Sequence, residues 1–127
     1  MSVTIYHNPK CVTSRKALGL LRDAGIEPKI IEYLKDPPSK TKLTELARLA
    51  GLKPRALLRK KEKLYKELGL DAPDVTDAQA IEAMLAHPVL IERPIVETDG
   101  KAVLGRPPER VEDILPAAKS SKSSKQK

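Results

Sequence analysis

The spacing of apolar and polar positions changes along the chain, and each change predicts a different element. Val3 to Tyr6 is a short, β-branched run that reads as a strand. His7-Asn8-Pro9-Lys10 ends it, because Pro9 has no N–H to donate and biases Asn8 away from helical geometry. From Thr13 the period becomes helical: Ala17, Leu18, Leu21 and Ala24 share one face, with Arg15, Lys16, Arg22 and Asp23 between them. Gly25 supplies the stop. Pro28 to Tyr33 reads as a second strand, so the chain up to Tyr33 is a βαβ unit with parallel pairing and a right-handed crossover.

The middle of the chain is helical. After Asp36-Pro37-Pro38, Ser39 suits the N-cap of a helix with Leu43, Leu46, Ala47 and Ala50 on one face, closed by Gly51. Pro54 fits the first turn of a shorter helix through Leu58, and the charged stretch Arg59 to Lys63 leads into Leu64, Tyr65 and Leu68 before Gly69. Thr76-Asp77-Ala78-Gln79 has the form of a capping box, opening a helix that buries Ile81, Met84 and Leu85 and that Pro88 ends. Strand spacing returns at Pro94 to Thr98 and Lys101 to Leu104. Between them Asp99-Gly100 supplies the positive φ angles of a type I′ hairpin turn. A short helix from Glu109 to Leu115, burying Val111, Ile114 and Leu115, closes the pattern. The order βαβ, helices, ββα predicts an α/β fold: a mixed β-sheet with a helical insertion, in one domain over residues 1–115.

Composition narrows the function classes. Tyr6, Tyr33 and Tyr65 are the whole aromatic complement, so a base-stacking surface for single-stranded nucleic acid is excluded. The net charge of +7 looks like a nucleic-acid signal, yet the last twelve residues carry four lysines and no acid, leaving +3 on the rest. That Lys/Ser-rich tail, residues 116–127, has too little apolar surface to fold and is expected to be disordered. No nucleic-acid partner is expected. The first residues enter a strand directly, with no basic region followed by an apolar stretch, and no run is long enough to span a bilayer. A cytoplasmic location without membrane attachment is the expectation.

One cysteine, Cys11, excludes an internal disulfide, and with only His7 and His87 beside it no metal site is expected. Cys11 falls between the first strand and the first helix, where open α/β sheets bind ligands and where unpaired helix N–H groups attract anions. A thiol there is stabilised as thiolate, and Lys10 and Arg15 add positive charge. The flanks Lys10, Thr13, Ser14 and Arg15 are too polar for a merely buried, structural cysteine. A C-x5-R phosphatase loop is ruled out, since the sixth residue after Cys11 is Ala17. Any redox cycle must therefore use an outside thiol.

Tyr6-His7-Asn8-Pro9, Cys11 and Thr13-Ser14-Arg15 resemble the nucleophile loop of the glutaredoxin-linked arsenate reductase family (ArsC-like). The resemblance continues through Tyr33-Leu34, Pro37-Pro38, Arg55 to Lys60, His87-Pro88, Arg93-Pro94-Ile95-Val96 and Gly105-Arg106-Pro107, covering residues 1–115. Gly105 to Glu109 and Lys61 to Leu68 look more like a sister branch that bears the same name by similarity. The resemblance implies a thioredoxin-like fold, with a cis Arg93–Pro94 bond facing the cysteine. It also implies an arsenate reductase in which Cys11 attacks arsenate, Arg59, Arg93 and Arg106 bind the oxyanion, and His7, Ser14 and Arg15 support the loop. No cofactor is bound in that scheme; glutathione is an external co-substrate and glutaredoxin the protein partner. Planar guanidinium forks suit a tetrahedral oxyanion. Val12 stands where the best-known arsenate reductases carry Gly, and its side chain is expected to crowd the oxyanion site. Two other readings are a general glutathione-dependent thiol reductase with weak arsenate activity and a non-enzymatic regulator like the Spx proteins. The latter typically carry Cys-x-x-Cys, and Ser14 takes the place of its second cysteine.

Overall fold

A computed structural model describes residues 2–114. The expected disorder of residues 116–127 and the expected burial of Leu115 lie outside them. The chain divides into two compact units, Met1–Ile31 with Arg93–Lys127, and Glu32–Glu92.

The first unit is built on a four-stranded mixed sheet in the order β2-β1-β3-β4, where β1 is Val3–His7, β2 Lys29–Glu32, β3 Ile95–Thr98 and β4 Lys101–Leu104. β1 pairs antiparallel with β3, Val3 opposite Thr98 and Tyr6 opposite Ile95, and β3 pairs antiparallel with β4. The hairpin turn forms as its sequence requires, with Asp99 at φ 42° and Gly100 at φ 80°. Helix α1 (Val12–Asp23) buries Ala17, Leu18 and Leu21 in a core with Val3, Ile5, Val96, Val103 and Val111. Each fully buried Leu, Ile or Val side chain contributes about 1.5–3 kcal/mol. Gly25, at φ 83°, lets the chain turn out of α1.

The second strand and the closing helix differ from the sequence reading. The second strand is shorter than Pro28 to Tyr33, because Lys35 and Asp36 donate to the Glu32 carbonyl and draw Tyr33 into a turn. The closing helix is a 3-10 helix over Pro108–Ile114, in which Val111 is fully buried and Ile114 only partly.

The second unit holds α2 (Lys40–Leu49), α3 (Lys63–Glu67) and α4 (Asp77–Ala86). Ser39 caps α2 by accepting from the Lys42 N–H, and Thr76 with Gln79 forms the complete capping box of α4. Pro54–Leu57 is a single 3-10 turn, and Leu85 is half-buried while Ile81 and Met84 are buried. Leu43, Leu46, Leu57, Met84 and Leu90 are fully buried. The Arg55 guanidinium donates to the carbonyls of Ala72, Pro73 and Val75, fixing the segment that enters α4. An antiparallel bridge between Leu58 and Ile91 joins two otherwise irregular stretches. Among the described residues no helix is long and apolar enough to cross a membrane.

Candidate active site

β1 delivers the chain to a tight loop that ends on Cys11. Asn8 organises it: its side-chain oxygen accepts from the Lys10 N–H at 2.9 Å and its carbonyl from the Cys11 N–H at 3.0 Å. Ser14, buried in the first turn of α1, ties the loop to the helix. Its Oγ accepts from the Asn8 N–H at 3.1 Å and lies 2.6 Å from His7 Nδ1. The Arg15 guanidinium donates to the Pro9 carbonyl at 2.8 Å, which makes it a brace of the loop. Cys11 is the N-cap of α1 in extended conformation, so its sulfur stands at the end where helix N–H groups lack intrahelical acceptors.

Two arginines reach this thiol from the other end of the same unit. Arg93 precedes β3 and Arg106 follows β4, and the hairpin pairing of Ile95 with Leu104 brings both to one sheet end. Arg93–Pro94 is cis, as the resemblance implies; Arg106–Pro107 is also cis, which nothing in the local sequence announces. Gly105 is the residue that permits the approach. Its N–H donates to the Pro94 carbonyl at 2.8 Å, and a Cβ there would stand 3.0 Å from Pro94 Cγ and 3.2 Å from Val111 Cγ1. Arg106 Nη1 then donates to the Arg93 carbonyl at 2.7 Å. Arg93 is buried at 7% exposure. Sequence reading offered Gly105 only as part of a motif; its purpose is a close backbone approach that appears once β4 lies over Pro94.

Opposing effects act on the Cys11 thiol. Burial pushes it up, while hydrogen bonds from the Ser14 N–H, the Arg106 and Arg93 guanidiniums and the Thr13 N–H pull it down. The donors prevail, and the thiol is held below its ordinary value. Alkylation of Cys11 by iodoacetamide should therefore titrate at lower pH than that of a free cysteine. The reactive thiolate is present above the lowered pKa and lost as pH falls through it. Thiolate absorbance followed against Cys11→Ser measures this directly. A midpoint at or above that of free cysteine would remove the helix and arginine contributions from the account.

His7, Cys11, Ser14, Arg15, Arg93 and Arg106 all lie in the first unit, and Arg59 lies in the second. The Arg59 side chain is held by carboxylates, with Nη1 2.7 Å from Glu92 Oε1 and Nε 3.3 Å from Glu62 Oε2. Neither acid was singled out from the sequence: Glu92 is 33 positions away and leaves no local signal, and Glu62, three positions on, lies in a charged stretch that reads as solvated surface. Val12, the first residue of α1, is 56% exposed. Among the described residues no group of three or more His, Cys, Asp or Glu is placed to hold a metal ion.

A single cysteine at a helix start, on a thioredoxin-like mixed sheet, is thus set among two guanidiniums and the N–H donors of the first helical turn. The chain matches the ArsC family over residues 6–114 and belongs to it. It is 50% identical over 125 residues to an arsenate reductase of Escherichia coli, covering 98% of this chain and 89% of that protein. It is 48% identical over 126 residues to one of Rhizobium meliloti, covering 99% and 90%. The structure of an arsenate reductase from Vibrio cholerae superposes with a TM-score of 0.87 at 52% identity, covering 91% of this chain and 98% of that one.

Proposed function

We propose that this protein is an oxidoreductase that reduces arsenate to arsenite, with the Cys11 thiolate as nucleophile and glutathione and glutaredoxin as electron donors. The observation that carries this reading is the lowered thiol of Cys11 beside Arg93 and Arg106. The cysteine sulfur attacks arsenic, forming an S–As bond as one oxygen leaves as water. A glutathione thiolate then attacks the adduct. Two electrons pass from two thiols to arsenic, arsenite departs, and glutaredoxin returns the glutathionylated intermediate to the thiol. The net change converts arsenate and two glutathione molecules into arsenite, glutathione disulfide and water. The single cysteine of the chain fits a cycle whose resolving thiols are external.

The guanidiniums bind the oxyanion and offset charge that shifts during attack. Arg93 and Arg106 have this role on geometry and resemblance together, and Arg59 has it as third ligand on resemblance alone. His7, Ser14 and Arg15 hold the loop that presents Cys11. Residues 1–115 form the acting domain in this reading, and the cytoplasm is the compartment whose thiol pool sustains it. The test is NADPH oxidation coupled through glutathione reductase, glutathione and glutaredoxin, with and without arsenate. Arsenate-dependent oxidation that requires glutaredoxin supports the reading. Equal rates without arsenate would replace it with a general thiol reductase.

A further inference from the structure

The Arg59 guanidinium sits in a built acidic cradle. The bridge between Leu58 and Ile91 is closed by the Arg59 N–H on the Leu90 carbonyl and the Glu92 N–H on the Leu57 carbonyl, both at 2.7 Å. This backbone pairing brings Arg59 and Glu92 together, and Glu62 adds a second carboxylate from just before α3. All three side chains are largely removed from solvent, at 16% exposure for Arg59, 17% for Glu92 and 26% for Glu62. A pair so placed is screened much less than one on the surface.

A guanidinium grips an oxyanion with two prongs along either its Nε/Nη2 edge or its Nη1/Nη2 edge. Here Nη1 faces Glu92 and Nε faces Glu62, so each edge includes a nitrogen already opposed by a carboxylate. We propose that Glu92, with Glu62, is a specificity-determining residue: it competes with the tetrahedral oxyanion for Arg59 and sets how weakly the site binds it. The proposal rests on Arg59 being an oxyanion ligand, as in the proposed function. An oxyanion that takes the Nη1/Nη2 edge of Arg59 must displace the Nη1 bond to Glu92, and one that takes the Nε/Nη2 edge must displace Glu62; removing the charge of Glu92, which makes the shorter bond, should tighten binding without touching the nucleophile.

The experiment compares Glu92→Gln, Glu62→Gln and Arg59→Lys with wild type in the full chain. Arsenate KM and kcat are read alongside the arsenate concentration that half-protects Cys11 from iodoacetamide. Glutamine keeps the shape of Glu92 and a weaker, neutral acceptor. KM and the half-protecting concentration should both fall about five- to tenfold in Glu92→Gln, with kcat within about twofold of wild type. A smaller fall is expected in Glu62→Gln, and Glu92→Gln should have no effect in the Arg59→Lys background. An unchanged or raised KM in Glu92→Gln, while Arg59→Lys is impaired, overturns the competition and makes Glu92 a positioning residue for Arg59. Wild-type turnover and protection in Arg59→Lys itself would instead remove Arg59 from the oxyanion site, and the proposal with it. Thermal melts of each variant separate these outcomes from unfolding.

Discussion

Cys11→Ser should abolish arsenate turnover while leaving the fold at least as stable as wild type. The hydroxyl of serine is not ionised at neutral pH and cannot supply the nucleophile, so the expected loss is on the order of 10⁴-fold or more. Stability should move the other way. Cys11 occupies the N-cap of α1, where sulfur is a weaker acceptor of the first-turn N–H groups than oxygen, and serine is among the preferred N-cap residues. A serine Oγ at this position can accept from the first-turn N–H groups of Thr13 and Ser14. The coupled NADPH assay and a thermal melt on one sample check both halves. Activity retained in Cys11→Ser would end the nucleophile assignment. A loss of activity accompanied by a large drop in melting temperature would mean that Cys11 acts through packing.

Arg106→Lys should lower turnover by one to two orders of magnitude, equivalent to about 1.4–2.7 kcal/mol of transition-state stabilisation. Lysine keeps the charge but loses the planar fork, and with it the bond from Nη1 to the Arg93 carbonyl. The Cys11 thiol should titrate at higher pH in this variant, because one of the hydrogen bonds that pull it down is weakened. Arg93→Lys should fall as far in turnover and also lose stability, since Arg93 is buried and its replacement leaves a compact ammonium in a space shaped for a guanidinium. Turnover equal to wild type in both variants would sink the oxyanion role and favour a general thiol reductase. Arg15→Lys is the comparison: Arg15 braces the loop through the Pro9 carbonyl, so a smaller decrease is expected.

The sequence by itself determined what depends on near neighbours. Gly25 and Gly51 sit at helix ends in the left-handed region, Thr76 and Gln79 cap α4, and Asp99-Gly100 turns the hairpin. Each of these is a contest between a few adjacent backbone groups and one side chain, and residue type decides it. Cys11 at a strand-to-helix junction was legible for the same reason, since Pro9 ends one period and Ala17, Leu18 and Leu21 begin the next.

What tertiary structure decided is which distant ends meet. The sheet order places β1 between β2 and β3, and only that pairing carries Arg93 and Arg106 to the thiol that the first loop presents. The need for glycine at position 105 appears only when β4 lies against Pro94 and Val111. Arg59 shows the same limit most plainly. Its sequence neighbourhood presents it as one more surface cation, and the structure presents it as a guanidinium held between Glu62 and Glu92. Local propensity acts over a few residues. Charge pairing and close packing act over a few ångströms, and only the folded chain converts one distance into the other.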